Sequence, residues 1–327
     1  MARVGIVGCG GIAQVHAAVL DRLEQAALVA CADIVPERAE AMAAKYGCRA
    51  YASMEAMLDA ERLDAVHLCT PHHLHAPMAE AAAGRGVAVF TEKPPVTGRD
   101  QWEQLRRAAA RVPLGVCFQN RYRPNVRRLR QLLSEETFGA PVGARAFVTW
   151  RREAPYYRDS GWRGAWATEG GGALINQSIH TLDLLVWLLG APQAVEARLA
   201  NHHLKGVIEV EDTVEAYLVL GGKPAVFYAT NAYTQDAPVF LEVQAERATL
   251  RLSGDALEIA RDGDVRRETF PQPETLGKGY WGNGHLPCIE DFYRCLASGA
   301  PYGNDLASVA DTVEAMLQIY EQNPRTL

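Results

Sequence analysis

The chain has 327 residues, 48% hydrophobic and 22% charged, with a formal net charge of −6. That length suits two cores of moderate size, and an acidic balance without a long Lys or Arg run excludes a phosphate-tracking nucleic-acid surface. No stretch approaches the ~18 uninterrupted apolar residues that span a bilayer, so no membrane partner is expected, and the first strand begins almost at once, so a cytoplasmic protein without a leader segment is expected.

The apolar run Val4-Gly5-Ile6-Val7 leads into Gly8-Cys9-Gly10-Gly11-Ile12-Ala13, a G-x-G-x-x-A turn between a strand and a helix over 11–20. Gly8 permits the tight turn, Gly10 lets backbone approach a pyrophosphate, and Ala13 lets the helix pack close on the strand. Free N–H groups at the helix start, Gly11 and Ile12 among them, favour that anion. A second strand ends at Asp33, whose carboxylate can accept hydrogen bonds from both hydroxyls of an adenosine ribose. The same charge repels an extra phosphate, and no Arg or Lys stands in Ile34-Val35-Pro36, so NAD is expected over NADP.

Strand and helix patterns then alternate to about residue 119: strands over 3–7, 28–33, 65–70, 87–91 and 114–118, helices over 36–46, 53–58, 77–85 and 98–111. This is the signature of a doubly wound parallel sheet, whose ligand crevice lies at the C-terminal ends of the strands. The fourth of these strands runs into Thr91-Glu92-Lys93-Pro94-Pro95. Lys93 is placed to face that crevice, with Pro94 able to fix its direction through a cis turn.

After Pro124 the character changes. A helix over 125–134, a strand over 142–150 and a polar, aromatic loop over 151–169 precede Gly170-Gly171-Gly172 and a strong helix over 173–189. Strands over 214–220, 225–233, 239–245, 249–252 and 257–260 follow, then helices over 286–298 and 305–321. The expected fold class is therefore α/β: an N-terminal doubly wound (Rossmann) domain over 1–120 and a C-terminal α+β domain over 121–327 with an open, mostly antiparallel sheet, the last helix able to pack back on the first domain.

On the helix over 173–189, Asn176, His180 and Asp183 fall at spacings that share one face. Histidine titrates near neutrality and can take the hydroxyl proton as a hydride leaves carbon, while a lysine ammonium stabilises the developing alkoxide. Tyr157, Trp162 and Arg163 on the preceding loop offer aromatic faces and a guanidinium for a carbohydrate, or packing and dimer contacts instead. Tyr280 and Trp281 with His285 are placed to close the site from another side. Seven cysteines without a C-x-x-C pair predict buried reduced thiols. His72, His73 and His75 lack a carboxylate or cysteine at ligand spacing, so no metal is expected.

Taken in order, Gly8 to Ala13, Cys69-Thr70-Pro71 with His75, Glu92-Lys93-Pro94, Asn120-Arg121-Tyr122-Arg123-Pro124, Gly170 to Asp183 and Gly284-His285 resemble the Gfo/Idh/MocA family of nicotinamide-dependent sugar and polyol dehydrogenases. The resemblance implies Lys93 and His180 as the catalytic pair. It implies cofactor contacts from Thr70, Pro71, His75, Glu92 and Lys93, and substrate contacts from Lys93, Arg121, Asn176 and His180. It also implies a homodimer or homotetramer built through the C-terminal sheet, acting on a small carbohydrate. Many members have aspartate where this chain has Asn176, which weakens an inositol dehydrogenase assignment, while relatives acting on nucleotide sugars share the Asn-Gln-x-x-His form. His72 departs from the Asn often found after the Thr-Pro pair. The alternatives are a glycosidase that recycles its NAD, a non-catalytic NAD-binding regulator and, more weakly, a bilin reductase.

Overall fold

In the computed structural model, residues 1–271, 276 and 284–323 are described. The chain clusters into two compact units: the described residues of Met1–Gln119 and Pro273–Val309 form one, those of Asn120–Gln272 and Ala310–Leu327 the other. The described residues 284–309 thus join the first unit, where the sequence suggests one division near residue 120.

The first unit is a six-stranded sheet of β1 (Ala2–Val7), β2 (Ala26–Ala32), β3 (Arg49–Tyr51), β4 (Ala65–Leu68), β5 (Ala88–Thr91) and β6 (Leu114–Val116), in the order β3-β2-β1-β4-β5-β6. Every neighbouring pair is parallel, so the order reverses between β1 and β4, the point where doubly wound sheets bind ligands. The connecting helices are α1 (Gly11–Leu20), α2 (Pro36–Tyr46), α3 (Met54–Ala60), α4 (His75–Gly84) and α5 (Arg99–Ala109). β4 and β5 are buried throughout, as a strand covered on both faces must be. Local signals set the ends: α2 starts with Pro36 and stops at Gly47 with φ 67°, and Ser53 Oγ accepts from Ala56 N at 3.1 Å to cap α3.

In the second unit α6 (Pro124–Ser134) precedes β7 (Pro141–Thr149), and α7 (Ala154–Arg158) interrupts what the sequence presents as a loop. A π-helical segment, Ala173–Ser178, runs into α8 (Ile179–Leu189). Then come β8 (Pro192–Ala200), β9 (Thr213–Leu220), β10 (Lys223–Thr230), β11 (Phe240–Ala245), β12 (Ala248–Ser253), β13 (Ala256–Arg261) and β14 (Asp264–Thr269). They form one sheet in the order β14-β13-β12-β11-β7-β10-β9-β8, antiparallel except for β10 with β7. In β9, Val214, Ala216, Leu218 and Leu220 are buried while Glu215 and Tyr217 are exposed, the alternation of a sheet covered on one face. The chain closes with α9 (His285–Ser298) and α10 (Leu306–Glu321). No helix among the described residues is long and apolar enough to cross a membrane.

Candidate active site

At the end of β1, Gly8 adopts φ +83°, and a Cβ there would lie 2.7 Å from the Cys69 carbonyl oxygen, so only glycine lets the first turn pass the end of β4. Gly10 caps α1 without a side-chain hydrogen bond, and nothing lies within 4 Å of where its Cβ would stand. The first N–H groups of α1 therefore meet no side-chain cap and offer an anion the positive end of the helix dipole. Asp33 is buried beside this turn: Oδ2 accepts from Cys9 N at 2.7 Å and Oδ1 from Val35 N at 2.8 Å. Each oxygen keeps a second lone pair for a hydroxyl. Next to it Ile34 is 90% exposed, an apolar surface of adenine size that the sequence reading passed over. An uncapped helix start, open space over Gly10 and a fixed carboxylate together fit a dinucleotide.

Lys93 follows β5 half-buried, between buried Glu92 and a cis peptide to buried Pro94. Glu92 Oε1 accepts from His16 Nε2 at 2.9 Å, and Oε2 accepts from Lys93 N at 3.3 Å. His16 Nδ1 meets His67 Nδ1 at 2.8 Å, and His67 Nε2 meets the Tyr293 hydroxyl at 2.8 Å. Burial opposes ionisation of Glu92, but the His16 hydrogen bond and charge, with His285 and Lys93, win and hold its carboxyl well below the usual range. Burial holds His67 well below its ordinary value, so one proton serves its two contacts. Cys117 lies within 4.8 Å of the His16 and Glu92 donor atoms. Both His16 nitrogens are already committed to hydrogen bonds, so the cluster is hydrogen-bonded packing beneath Lys93.

Other expectations for this unit change. His75 is fully buried, its Nδ1 2.7 Å from the Pro94 carbonyl and its Nε2 2.8 Å from that of Thr70. It ties the half-buried Thr70 and Pro71 to the turn after Lys93. His285 is buried beside the Glu92 cluster, where burial lowers its pKa to about 4. Tyr280 and Trp281 lie outside the described residues.

In the second unit, His180 is half-buried in the first turn of α8, and half-buried Asn176 precedes it in the wider π-helical turn. Single π-turns inside helices recur at functional sites, and this one breaks the uniform spacing assumed from sequence. Asp183 is fully buried: Arg121 Nε and Nη2 clamp it at 2.8 and 2.5 Å, and Thr312 Oγ1 donates at 2.8 Å. Arg121, 2% exposed, is thereby the buried ion-pair partner of Asp183. At 171–172 the chain packs closely on itself, since a Cβ on Gly172 would stand 1.9 Å from the Glu211 carbonyl and one on Gly171 2.0 Å from the Tyr320 hydroxyl.

Two buried carboxylates flank this segment. Glu211 Oε2 accepts from Gly172 N at 2.9 Å and Oε1 from Leu174 N and Tyr320 Oη at 3.0 Å, capping the start of the helix. Glu169 Oε2 accepts from Gly164 N at 2.6 Å and Oε1 from Asn176 Nδ2 at 2.5 Å. Burial pushes each carboxyl up to about 7 against these donors. Tyr157 is 3% exposed and packs on Leu204, Ile208 and Val210, with its hydroxyl taken by Asn231 Nδ2 at 2.9 Å. Its ring belongs to the core of this unit. Arg163 lies over the rings of Tyr156 and Trp162, 4.6 and 4.8 Å from their centroids, which leaves Trp162 and Arg163 half-buried beside Asn176's partner Tyr156. Sequence reasoning missed His16, His67, Glu169 and Glu211, because a lone histidine on a helix or strand and an isolated acid carry no motif.

A model of the Gfo/Idh/MocA oxidoreductase family, described as an NAD-binding Rossmann fold, matches residues 2–119. A model of the family's C-terminal domain matches residues 126–251. An inositol 2-dehydrogenase of Rhizobium meliloti is 28% identical over 98% of this chain and 97% of its own length. An inositol 2-dehydrogenase of Rubrobacter xylanophilus is 30% identical over 92% of this chain and 85% of its own. Among solved structures, the WlbA dehydrogenase of Bordetella pertussis, in complex with NADH and UDP-GlcNAcA, is 29% identical with a TM-score of 0.84, covering 98% of this chain and 95% of that one.

Proposed function

Because the chain belongs to the Gfo/Idh/MocA oxidoreductase family, we propose that it transfers a hydride reversibly between NAD and a secondary-alcohol carbon of a sugar, polyol or nucleotide sugar, with Lys93 and His180 as the catalytic pair. The observation that carries this reading is Lys93 at the C-terminal end of β5, beside an anionic Glu92 and in the same unit as a β1–α1 turn that fits a dinucleotide. NAD, when bound, supplies the hydride acceptor. Asp33 reads the ribose hydroxyls and disfavours a 2′-phosphate, and Ile34 gives the adenine an apolar surface. The Lys93 ammonium stabilises the alkoxide that forms as hydride leaves, and His180 holds the hydroxyl proton.

Asn176, Trp162 and Arg163 bind the carbohydrate, with the amide and guanidinium on hydroxyls or a carboxylate and the indole on a ring face. The Asn176-Gln177 pair supports a nucleotide sugar or related uronic acid over inositol, in keeping with the WlbA likeness. The open sheet face carries Tyr217 and Val226, 46% and 45% exposed, and supplies the surface for a homodimer or homotetramer.

The test is NADH formation by the purified protein with NAD across myo-inositol, glucose, methyl glucosides, levoglucosan and UDP-N-acetylglucosaminuronic acid. NADH accumulating with one of these, lost in His180→Ala while NAD affinity is kept, is the expected result. Glycoside cleavage without net NADH, or NAD binding with no turnover of any kind, contradicts it.

A further inference from the structure

We propose that Gln322 and Asn323 guard the free edge of the second unit's sheet, holding the main-chain groups of β8 that would otherwise pair with β8 of a second copy of this chain. In the order β14-β13-β12-β11-β7-β10-β9-β8, β8 has a strand on one side only. Alternate residues of an antiparallel strand turn their N–H and C=O groups to opposite sides. An edge therefore presents every second residue as a template for a further strand.

On β8 those residues are Val195, Ala197 and Leu199, and side-chain amides occupy them. Gln322 Nε2 donates to Val195 O at 2.6 Å, and its Oε1 accepts from Ala197 N at 3.2 Å. Asn323 Nδ2 donates to Ala197 O at 3.2 Å, and its Oδ1 accepts from Leu199 N at 3.0 Å. Each amide thus joins the C=O of one residue to the N–H of the residue two positions on, the bonding of one residue in a parallel neighbour. Turning either amide over would set N–H against N–H and oxygen against oxygen, so the edge fixes both. The two side chains follow directly on α10, whose Val313, Met316 and Ile319 are buried, and Asn323 Nδ2 also donates to Ile319 O at 2.8 Å. A packed helix delivers the guard.

A second copy is the strand that this edge fits best. Two β8 strands lying antiparallel about Ala197 would exchange both Ala197 hydrogen bonds and set Val195 against Leu199. The same register places Glu196 of each copy opposite Arg198 of the other, both exposed, which makes two favourable cross-strand pairs. The edge is self-complementary about a two-fold axis. The far edge of the sheet is protected by other means: β14 has no buried side chain and carries Asp264, Arg266, Arg267 and Glu268, charges that discourage pairing.

The experiment compares the full-length wild type with Gln322→Ala plus Asn323→Ala by sedimentation velocity over a concentration series. The reference is the wild-type mass, which includes any assembly through the sheet face. The double variant is expected to form a species of about twice that mass, its share rising with concentration. Gln322→Met plus Asn323→Leu keeps the side-chain volume, removes the hydrogen bonds and should do the same, so it carries the test where the alanine pair fails to fold. Glu196→Arg added to either double variant sets arginine against arginine across the axis and should return it to the wild-type mass. Adding Arg198→Glu as well restores opposite charges and should bring the heavier species back.

Amide hydrogen exchange is the second readout. At low concentration, exchange at Ala197 and Leu199 should be about tenfold faster in the double variants than in the wild type, and it should slow again as the heavier species forms. A folded double variant that keeps the wild-type mass at every concentration, or a heavier species that Glu196→Arg leaves intact, overturns the proposal. Exchange at Ala197 and Leu199 as fast in the wild type as in the variants does so too.

Discussion

Glu92 in the first unit and Glu169 and Glu211 in the second are all buried, yet they lie on opposite sides of their ordinary carboxyl value. The difference is in the donors. Glu92 receives a histidine hydrogen bond backed by positive charge at His16 and Lys93, whereas Glu169 and Glu211 receive mainly neutral amides, backbone N–H groups and a tyrosine. Neutral donors do not repay the loss of water, and cationic ones do. The first unit thus keeps a permanent anion beneath Lys93, while the second keeps carboxyls that change charge near neutrality around the helix carrying Asn176 and His180.

The comparison can be broken most strongly at Lys93. Lys93→Met should lower turnover about 10²- to 10⁴-fold with NAD affinity nearly unchanged, measured by steady-state kinetics and NAD titration. An equal effect on NAD binding would mean that the anion beneath Lys93 serves the cofactor rather than the chemistry.

Glu92→Gln removes the charge that His16 answers and should cost roughly 1–3 kcal/mol at pH 7, read from chemical denaturation. The sign follows from the depressed pKa: the contribution of Glu92 is present above the unfolded carboxyl value near 4.5 and is lost as pH falls below it. The gap between variant and wild type should therefore narrow in acid. A gap that grew in acid would refute a permanently ionised Glu92.

Asp33→Ala should weaken NAD about tenfold and reduce discrimination against NADP, by titration with both cofactors. An unchanged ratio would remove Asp33 from ribose recognition.

The smallest effect sharpens the second half of the comparison. Glu169 and Glu211 hold their protons better folded than unfolded, so stability should fall as pH rises from about 4.5 to about 7 and level off above. Glu169→Gln should flatten part of that decline, seen as a difference of several °C in melting temperature between pH 5 and pH 8 that is smaller in the variant.

These regions also differ in how much of them was legible. The alternation of the first unit placed α2 at its observed bounds and the other helices within a few residues, because short parallel strands buried on both faces stand out against Ala-rich helices. β3 escaped, having three residues and no buried one. In the second unit β14 escaped as well: an edge strand of Asp264-Val265-Arg266-Arg267-Glu268-Thr269 with no buried side chain reads as a charged turn. β8 has two buried positions in nine and gives little periodicity.

For the candidate site, motifs gave Gly8, Gly10, Asp33, Lys93, Asn176 and His180 from local spacing alone. The residues that hold them do not lie in those motifs. His16 meets Glu92 across 76 positions and Glu211 meets Leu174 across 37, separations at which nothing in local pattern marks a pair. The same distance hid the fate of Arg121, whose partner Asp183 stands 62 positions away.

The most direct measurement is turnover and NAD affinity of the wild type and Lys93→Met side by side, following NADH absorbance with the sugar or polyol panel. NADH should form in the wild type with at least one carbohydrate and nearly vanish in Lys93→Met, while both bind NAD alike. Equal turnover in the two proteins would contradict a catalytic Lys93 and the hydride-transfer mechanism built on it.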